Sequence, residues 1–145
     1  MEKFIPQCPF TVDAKELSQM NALVLAFIGD GVQTLYVRTK LAVSLREKTG
    51  ELHKKAVPQL KASGQSDAVK KILPMLTEEE LSLFRRARNA KPASMAKNAK
   101  ISDYHMATGF EAVIGYLYLS GQTERLEALM ECAFLPDSTN LGGNQ

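Results

Sequence analysis

Two long apolar stretches, each carrying a single acid, constrain this chain most. The first is "LAFIGDGVQTLYV", Leu25 to Val37, in which Gly29 and Gly31 flank Asp30. The second is "TGFEAVIGYLYL", Thr108 to Leu119, which contains Glu111. A buried, unpaired carboxylate costs several kcal/mol or takes up a proton. Any fold of this chain must therefore give each acid water, a partner or a cation.

The first stretch allows two readings. Asp-Gly between apolar runs is a β-hairpin signal, and β-branched and aromatic residues support strands. Against that, "LVLAFI" does not alternate, as a half-exposed antiparallel strand does. Read as a helix, Leu23, Ala26, Phe27, Asp30, Thr34 and Val37 share one stripe, which sets Asp30 on an apolar face. Periodicity favours the helix and leaves the hairpin open.

Most other segments read as helices. "TEEELSLFRRARNA" opens with a capping box, Thr77 with Glu80 three residues on. "SDYHMATGFEAVIGYLYLSG" is expected to start at a Ser102 or Asp103 cap and to stop at Gly121. "TERLEALMECAF" places Leu126, Leu129, Met130 and Ala133 on one stripe. "GELHKKAVPQLKASGQSDAVKKILPML" reads as two shorter helices broken near "ASGQSD", with Pro58 at a first turn or a kink. The glycine-rich end, residues 136–145, is expected to fray, leaving residues 1–135 as a single domain.

Composition narrows the function classes. The chain has 145 residues, 45% hydrophobic and 23% charged, enough for one domain with its own core. No run reaches the 18 or so apolar residues of a membrane span, and "MEKFIPQCPFTVD" lacks a signal peptide's apolar core. Cys8 and Cys132 form no CxxC and no Cys/His cluster. A cytoplasmic protein without structural zinc fits best, and a bridge between the two cysteines stays open. Net charge is only +2, but Leu81 to Ser102 contains no Asp or Glu. Arg85, Arg86, Arg88, Lys91, Lys97 and Lys100 make that segment one-signed. It reads as a polyanion-facing surface or as a solvated basic face.

Taken singly, Asp30 and Glu111 read as structural, exposed on a wet side or paired with an arginine such as Arg38. Taken together they suggest more. If their helices pack, two facing carboxylates repel unless a proton or a cation lies between them. Mg²⁺ takes one or two carboxylates and uses water and substrate phosphate for the rest. The glycines beside Asp30 leave room for a neighbouring helix or a phosphate. With the basic segment, metal-assisted phosphodiester cleavage is coherent.

Four blocks in order, from about Asn21 to Arg125, resemble the ribonuclease III family. "NALVLAFIGDGVQTLYVRTKL" resembles its signature helix. "LHKKA" and "RRARNA" resemble blocks of the family's small form, which has a catalytic domain and no double-stranded-RNA-binding domain. "YHMATGFEAVIGYLYLSG" resembles the second catalytic helix. The resemblance implies an all-α, homodimeric endoribonuclease domain. It implies Mg²⁺-dependent cleavage of double-stranded RNA, with Mn²⁺ able to substitute, that leaves 5′-phosphate and 3′-hydroxyl ends. It also implies maturation of the 23S ribosomal RNA precursor, with room for help from a ribosomal protein. Asp30 and Glu111 match the metal-binding, catalytic acids. His53, Lys54, Arg85, Arg86, Arg88, Lys91, Lys97 and Lys100 are the candidate RNA contacts.

The chain departs from the larger family members at several points. Ala26 and Leu23 stand where those carry glutamates, and Thr108 stands where they carry an aspartate. Thr108 is left either to touch a water on the metal or to cap its helix. Ala87 replaces a glycine of the basic block. Two rivals remain, a non-catalytic RNA-binding module of the same fold and a helical interaction protein whose acids form ion pairs.

Overall fold

The computed structural model describes Ile5, residues 7–90 and residues 100–134. Among the described residues there are α-helices and one short 3-10 turn, and no strand. The helices are α1 (Ala14–Ser18), α2 (Ala22–Leu45), α3 (Thr49–Leu60), α4 (Ala62–Ile72), α5 (Glu78–Arg88), α6 (Ile101–Leu119) and α7 (Thr123–Ala133). The 3-10 turn, Leu73–Met75, joins α4 to α5. The tail over residues 136–145, together with Lys91 and Lys97, lies outside the described residues.

The hairpin reading of "GDG" is excluded, because α2 passes through it without a break. Asn21 caps this helix, its Oδ1 accepting the Leu23 N–H at 2.7 Å. The capping box of α5 is present as read: Glu80 N–H donates to Thr77 Oγ1 at 3.1 Å, and Thr77 N–H to Glu80 Oε1 at 3.0 Å. On α7, the stripe Leu126, Leu129, Met130 and Ala133 is buried.

Three expectations shift. The break between α3 and α4 is the single residue Lys61, extended at ψ 162°, and "ASGQSD" lies inside α4. There the Cα of Gly64 packs on the Pro58 carbonyl so closely that a β-carbon would collide with it. Pro58 sits in the last turns of α3, not the first. Helix α6 begins two residues or more earlier than read, with Lys100 at the N-cap in place of Ser102 or Asp103 and no side-chain cap. Its end matches the reading. Gly121 turns left-handed at φ 74°, while Gln122 N–H donates to the Leu117 carbonyl and Gly121 N–H to that of Tyr118.

Helix α6 organises the molecule. It is apolar on nearly every side, as expected of a helix with neighbours all round. It packs most extensively on α2, then on α5, α4 and α7. One core cluster joins Tyr36, Val37, Phe84, Phe110, Ile114, Leu117, Leu129 and Met130. A second, under α1, joins Leu17, Leu25, Ala26, Leu83, Ala87 and Ala112. Ala87, the residue replacing a glycine, is a fully buried member of this second cluster.

Candidate active site

The crossing of α2 and α6 brings the two acids together. Gly29 faces the Glu111 carbonyl and Gly115 faces the Leu25 carbonyl, so closely that a β-carbon at either glycine would collide with backbone. The contact is reciprocal, one helical turn apart on each helix. It fixes Asp30, next to Gly29, beside Glu111. Gly29 is therefore clearance for a helix, not for a ligand. A β-carbon at Gly31 would meet nothing within 4 Å among the described residues, and Gly31 lies open at the surface.

The environments of the two acids differ. Asp30 is exposed, so the apolar face on which it was read is not a buried one at this position. The stripe drawn through it splits, with Ala26 and Val37 buried but Phe27 and Asp30 exposed. Glu111 is partly buried, and its carboxyl is pushed up to about 8. Burial is the largest cause, followed by a hydrogen bond with Asp30 and the charge of Asp30. The side chain of Gln65 opposes these by hydrogen-bonding to Glu111. Among the described residues no arginine or lysine pairs with either acid, and Arg38 is exposed.

This donor set suits a hard divalent cation. Both ligands are carboxylate oxygens, and their mutual repulsion is what a cation relieves. Among the described residues no three His, Cys, Asp or Glu side chains converge. A cation here would be held by Asp30 and Glu111, with water and phosphate oxygens completing its shell. Thr108 is buried one turn before Glu111, and its hydroxyl donates to the Tyr104 carbonyl at 3.0 Å. Its oxygen lone pairs are what remain for any contact beyond its own helix.

The basic candidates are arranged around α3 and α5. Arg85 and Arg86 are exposed at the C-terminal end of α5, where positive charge suits the helix dipole. Neither forms an ion pair with "TEEE" among the described residues. Arg88 lies over the Phe84 ring at 5.8 Å and donates through Nε to Asn89 Oδ1 at 3.3 Å. Helix α5 crosses α6 where the Phe84 backbone meets Gly109, two residues before Glu111. That crossing sets the basic end of α5 against the acid-bearing helix. His53, Lys54 and Lys100 are exposed, and Lys54 pairs with Glu51 at 3.3 Å. Cys8 and Cys132 are free thiols.

Gln65 was missed in the sequence. It lies in "ASGQSD", read there as a break, where an amide carries no signal. Only the packing of α4 on α6 brings it to Glu111.

The Ribonuclease III domain family matches residues 23–122. The chain belongs to the ribonuclease III family and is an endoribonuclease of that type. Its relatives within the family are small. It is 50% identical over 119 residues to the Mini-ribonuclease 3 of Clostridium tetani, covering 81% of this chain and 78% of that one. It is 41% identical over 118 residues to the Mini-ribonuclease 3 of Enterococcus faecalis, covering 80% and 89%. A crystal structure of a Fusobacterium nucleatum protein matches with a TM-score of 0.72 at 26% identity, covering 90% of this chain and 98% of that chain. Among the described residues no helix is long and apolar enough to cross a membrane.

Proposed function

We propose that this endoribonuclease cleaves double-stranded RNA with Mg²⁺, or Mn²⁺ in its place, held by Asp30 and Glu111. The observation that carries this reading is the pair itself, two carboxylates close enough that Asp30 raises the Glu111 carboxyl, with no ion pair to either acid among the described residues. Bound there, the cation supplies Lewis-acid polarisation of a phosphoryl oxygen and a water of lowered pKa. Asp30, exposed, is the ligand open to substrate. Glu111, half sheltered, gives up its proton to bind. Thr108 offers a second, neutral oxygen one turn away. The products carry 5′-phosphate and 3′-hydroxyl ends.

The duplex is held through its phosphates and 2′-hydroxyls, as A-form RNA is generally recognised. Arg85, Arg86, Arg88 and Lys100, with His53 and Lys54, are the contacts, joined by Lys91 and Lys97. The working unit is a homodimer, because two antiparallel strands need two sites related by a twofold axis. An exposed apolar stripe on α2, formed by Val24, Phe27 and Leu35 with open Gly31 among them, supports this. The cellular substrate is the 23S ribosomal RNA precursor in the cytoplasm, with a ribosomal protein as a candidate helper.

Purified protein incubated with a long RNA duplex tests the reading. Cleavage is expected with Mg²⁺ and none with chelator. Asp30→Asn and Glu111→Gln each remove a metal contribution worth several kcal/mol, so the rate falls by about a thousandfold or more. Normal cutting by both variants overturns the site. Duplex bound but never cut turns the reading to a non-catalytic RNA-binding module. Mapping of new 5′ ends on the 23S precursor transcript checks the finer substrate. A precursor left intact while a generic duplex is cut removes that part alone.

A further inference from the structure

We propose that Tyr104 contacts a ribose 2′-hydroxyl of the substrate and is a residue by which this nuclease selects RNA over DNA. The proposal rests on the double-stranded-RNA reading above and deepens it.

The geometry comes from one side of α6. Lys100, Tyr104, Thr108 and Glu111 follow one another there at spacings of four, four and three residues. The helix is regular through this stretch: Tyr104 N–H donates to the Lys100 carbonyl at 2.9 Å, and Thr108 Oγ1 to the Tyr104 carbonyl at 3.0 Å. At a rise of about 1.5 Å per residue, Tyr104 stands about 10 Å along the axis from Glu111, and Lys100 about 16 Å. Lys100 is an exposed cation at one end of this side, and Glu111 with Asp30 is the acid pair at the other. A strand with its scissile phosphate at the acids and another phosphate on Lys100 passes over Tyr104.

The chemistry of that side suits a sugar contact. Selection of RNA needs a group that meets something DNA lacks. The acid pair and the basic side chains engage phosphate, which both polymers carry. The 2′-hydroxyl, displayed in the wide minor groove of A-form RNA, is what separates them, and it both donates and accepts. A phenol is neutral and does the same, so one contact within the fold still leaves it a proton or a lone pair for a ligand. Tyr104 is half-buried, open to a ligand on one side and packed on the other. Its ring meets that of His105 edge-on at 6.0 Å, which restricts its swing. Thr108, the other neutral hydroxyl on this side, is 7% exposed and gives its proton to the Tyr104 carbonyl. Tyr104 is therefore the neutral donor and acceptor that a strand between the two charged ends can reach.

The test is a mutant cycle between protein and RNA. It compares the unmodified full chain with Tyr104→Phe, which keeps the ring and removes only the hydroxyl. The substrates are an RNA duplex with one mapped cut and the same duplex carrying single 2′-deoxynucleotides stepped along the cleaved strand. A nucleotide step spans roughly 3.4 Å of duplex axis, so the sensitive sugar is expected within about four steps of the cut. There the unmodified protein should lose about fivefold in kcat/KM, the worth of one neutral hydrogen bond. Tyr104→Phe should lose about fivefold on the all-ribose duplex and nothing more at that sugar. Its Mn²⁺ binding without RNA and its melting in chelator should match those of the unmodified protein. Full activity of Tyr104→Phe on the all-ribose duplex overturns the proposal, as does an unmodified protein indifferent to every deoxy position. A Tyr104→Phe penalty that multiplies with the deoxy penalty at every position overturns it too, because the hydroxyl then serves the fold and not a sugar. So does loss of the fold or of Mn²⁺ binding in the variant. An unmodified protein that cuts no RNA duplex with Mg²⁺ overturns the function proposed above, and this proposal with it.

Discussion

Glu111 in the metal-free protein holds a proton that an isolated glutamate would release, and this ties stability to pH. Its carboxyl titrates at about 8 in the folded chain against 4.5 as the ordinary value. Between those values the folded state binds a proton that the unfolded state does not. The stabilisation is complete below about pH 4.5 and is lost as pH rises through about 8. In chelator, the melting temperature should fall between about pH 5 and pH 8, with a Glu111 contribution of up to about 1.4 kcal/mol per pH unit. Glu111→Gln should flatten that slope, and its metal-free form should be the more stable one at pH 8. Thermal melts of both proteins at several pH values check this. Parallel slopes would remove the shared-proton account of the pair. Added Mg²⁺ should stabilise the unmodified protein most at high pH, where no proton competes with the cation.

At the scale of elements, the crossing of α2 and α6 does what a longer ligand set does elsewhere. Gly29 and Gly115 let two backbones approach until each glycine lies on the other helix's carbonyl. Gly29→Ala pushes a methyl into the Glu111 backbone, and packing cannot absorb it, because the obstacle is main chain. A loss of about 3 kcal/mol or more is expected, with a fall in cleavage that exceeds the fall in folded fraction, since the same shift parts Asp30 from Glu111. Gly31→Ala is the control. Its methyl meets nothing among the described residues and it gains helix propensity, so its monomer stability should hold or rise. Chemical denaturation separates the two; similar losses at both positions would contradict this account of the crossing.

Much of this was legible in the sequence, and the failures have physical causes. Periodicity gave α7 and the capping box gave α5, because both signals are local. "GDG" was ambiguous, since its turn chemistry is equally local while the contact that makes it helix lies eighty residues away at Glu111. Asp30 was placed among apolar neighbours because the run was read as core throughout. Val24, Phe27 and Leu35 are in fact exposed, so apolar composition there marks a surface. Gln65 gave no signal, since an amide acts only through what packs beside it. Gln33 is fully buried with neither amide atom bonded among the described residues, and nothing in the structure explains it.

For the molecule as a whole, that exposed stripe is the feature a monomer does not use. Val24, Phe27, Gly31 and Leu35 follow helical spacing along one side of α2, and Phe27 is 78% exposed. A contiguous apolar face of this kind marks an interaction site, and Asp30 borders it one turn from Phe27. A second copy laid twofold across the stripe would bury both Phe27 side chains as aromatic anchors. A buried aromatic anchor is commonly worth about 2 kcal/mol or more. A C₂ interface counts each residue twice, so Phe27→Ala should cost the dimer about 4 kcal/mol, close to a thousandfold in Kd. Sedimentation at micromolar concentration should show a dimer for the unmodified protein and a monomer for the variant. Cleavage by Phe27→Ala should be lost at low protein concentration and should recover as concentration rises, with Mn²⁺ binding per chain unchanged. An unmodified protein that sediments as a monomer, or a variant whose dimer is undisturbed, would leave Phe27 without a partner and the paired-site arrangement without its interface.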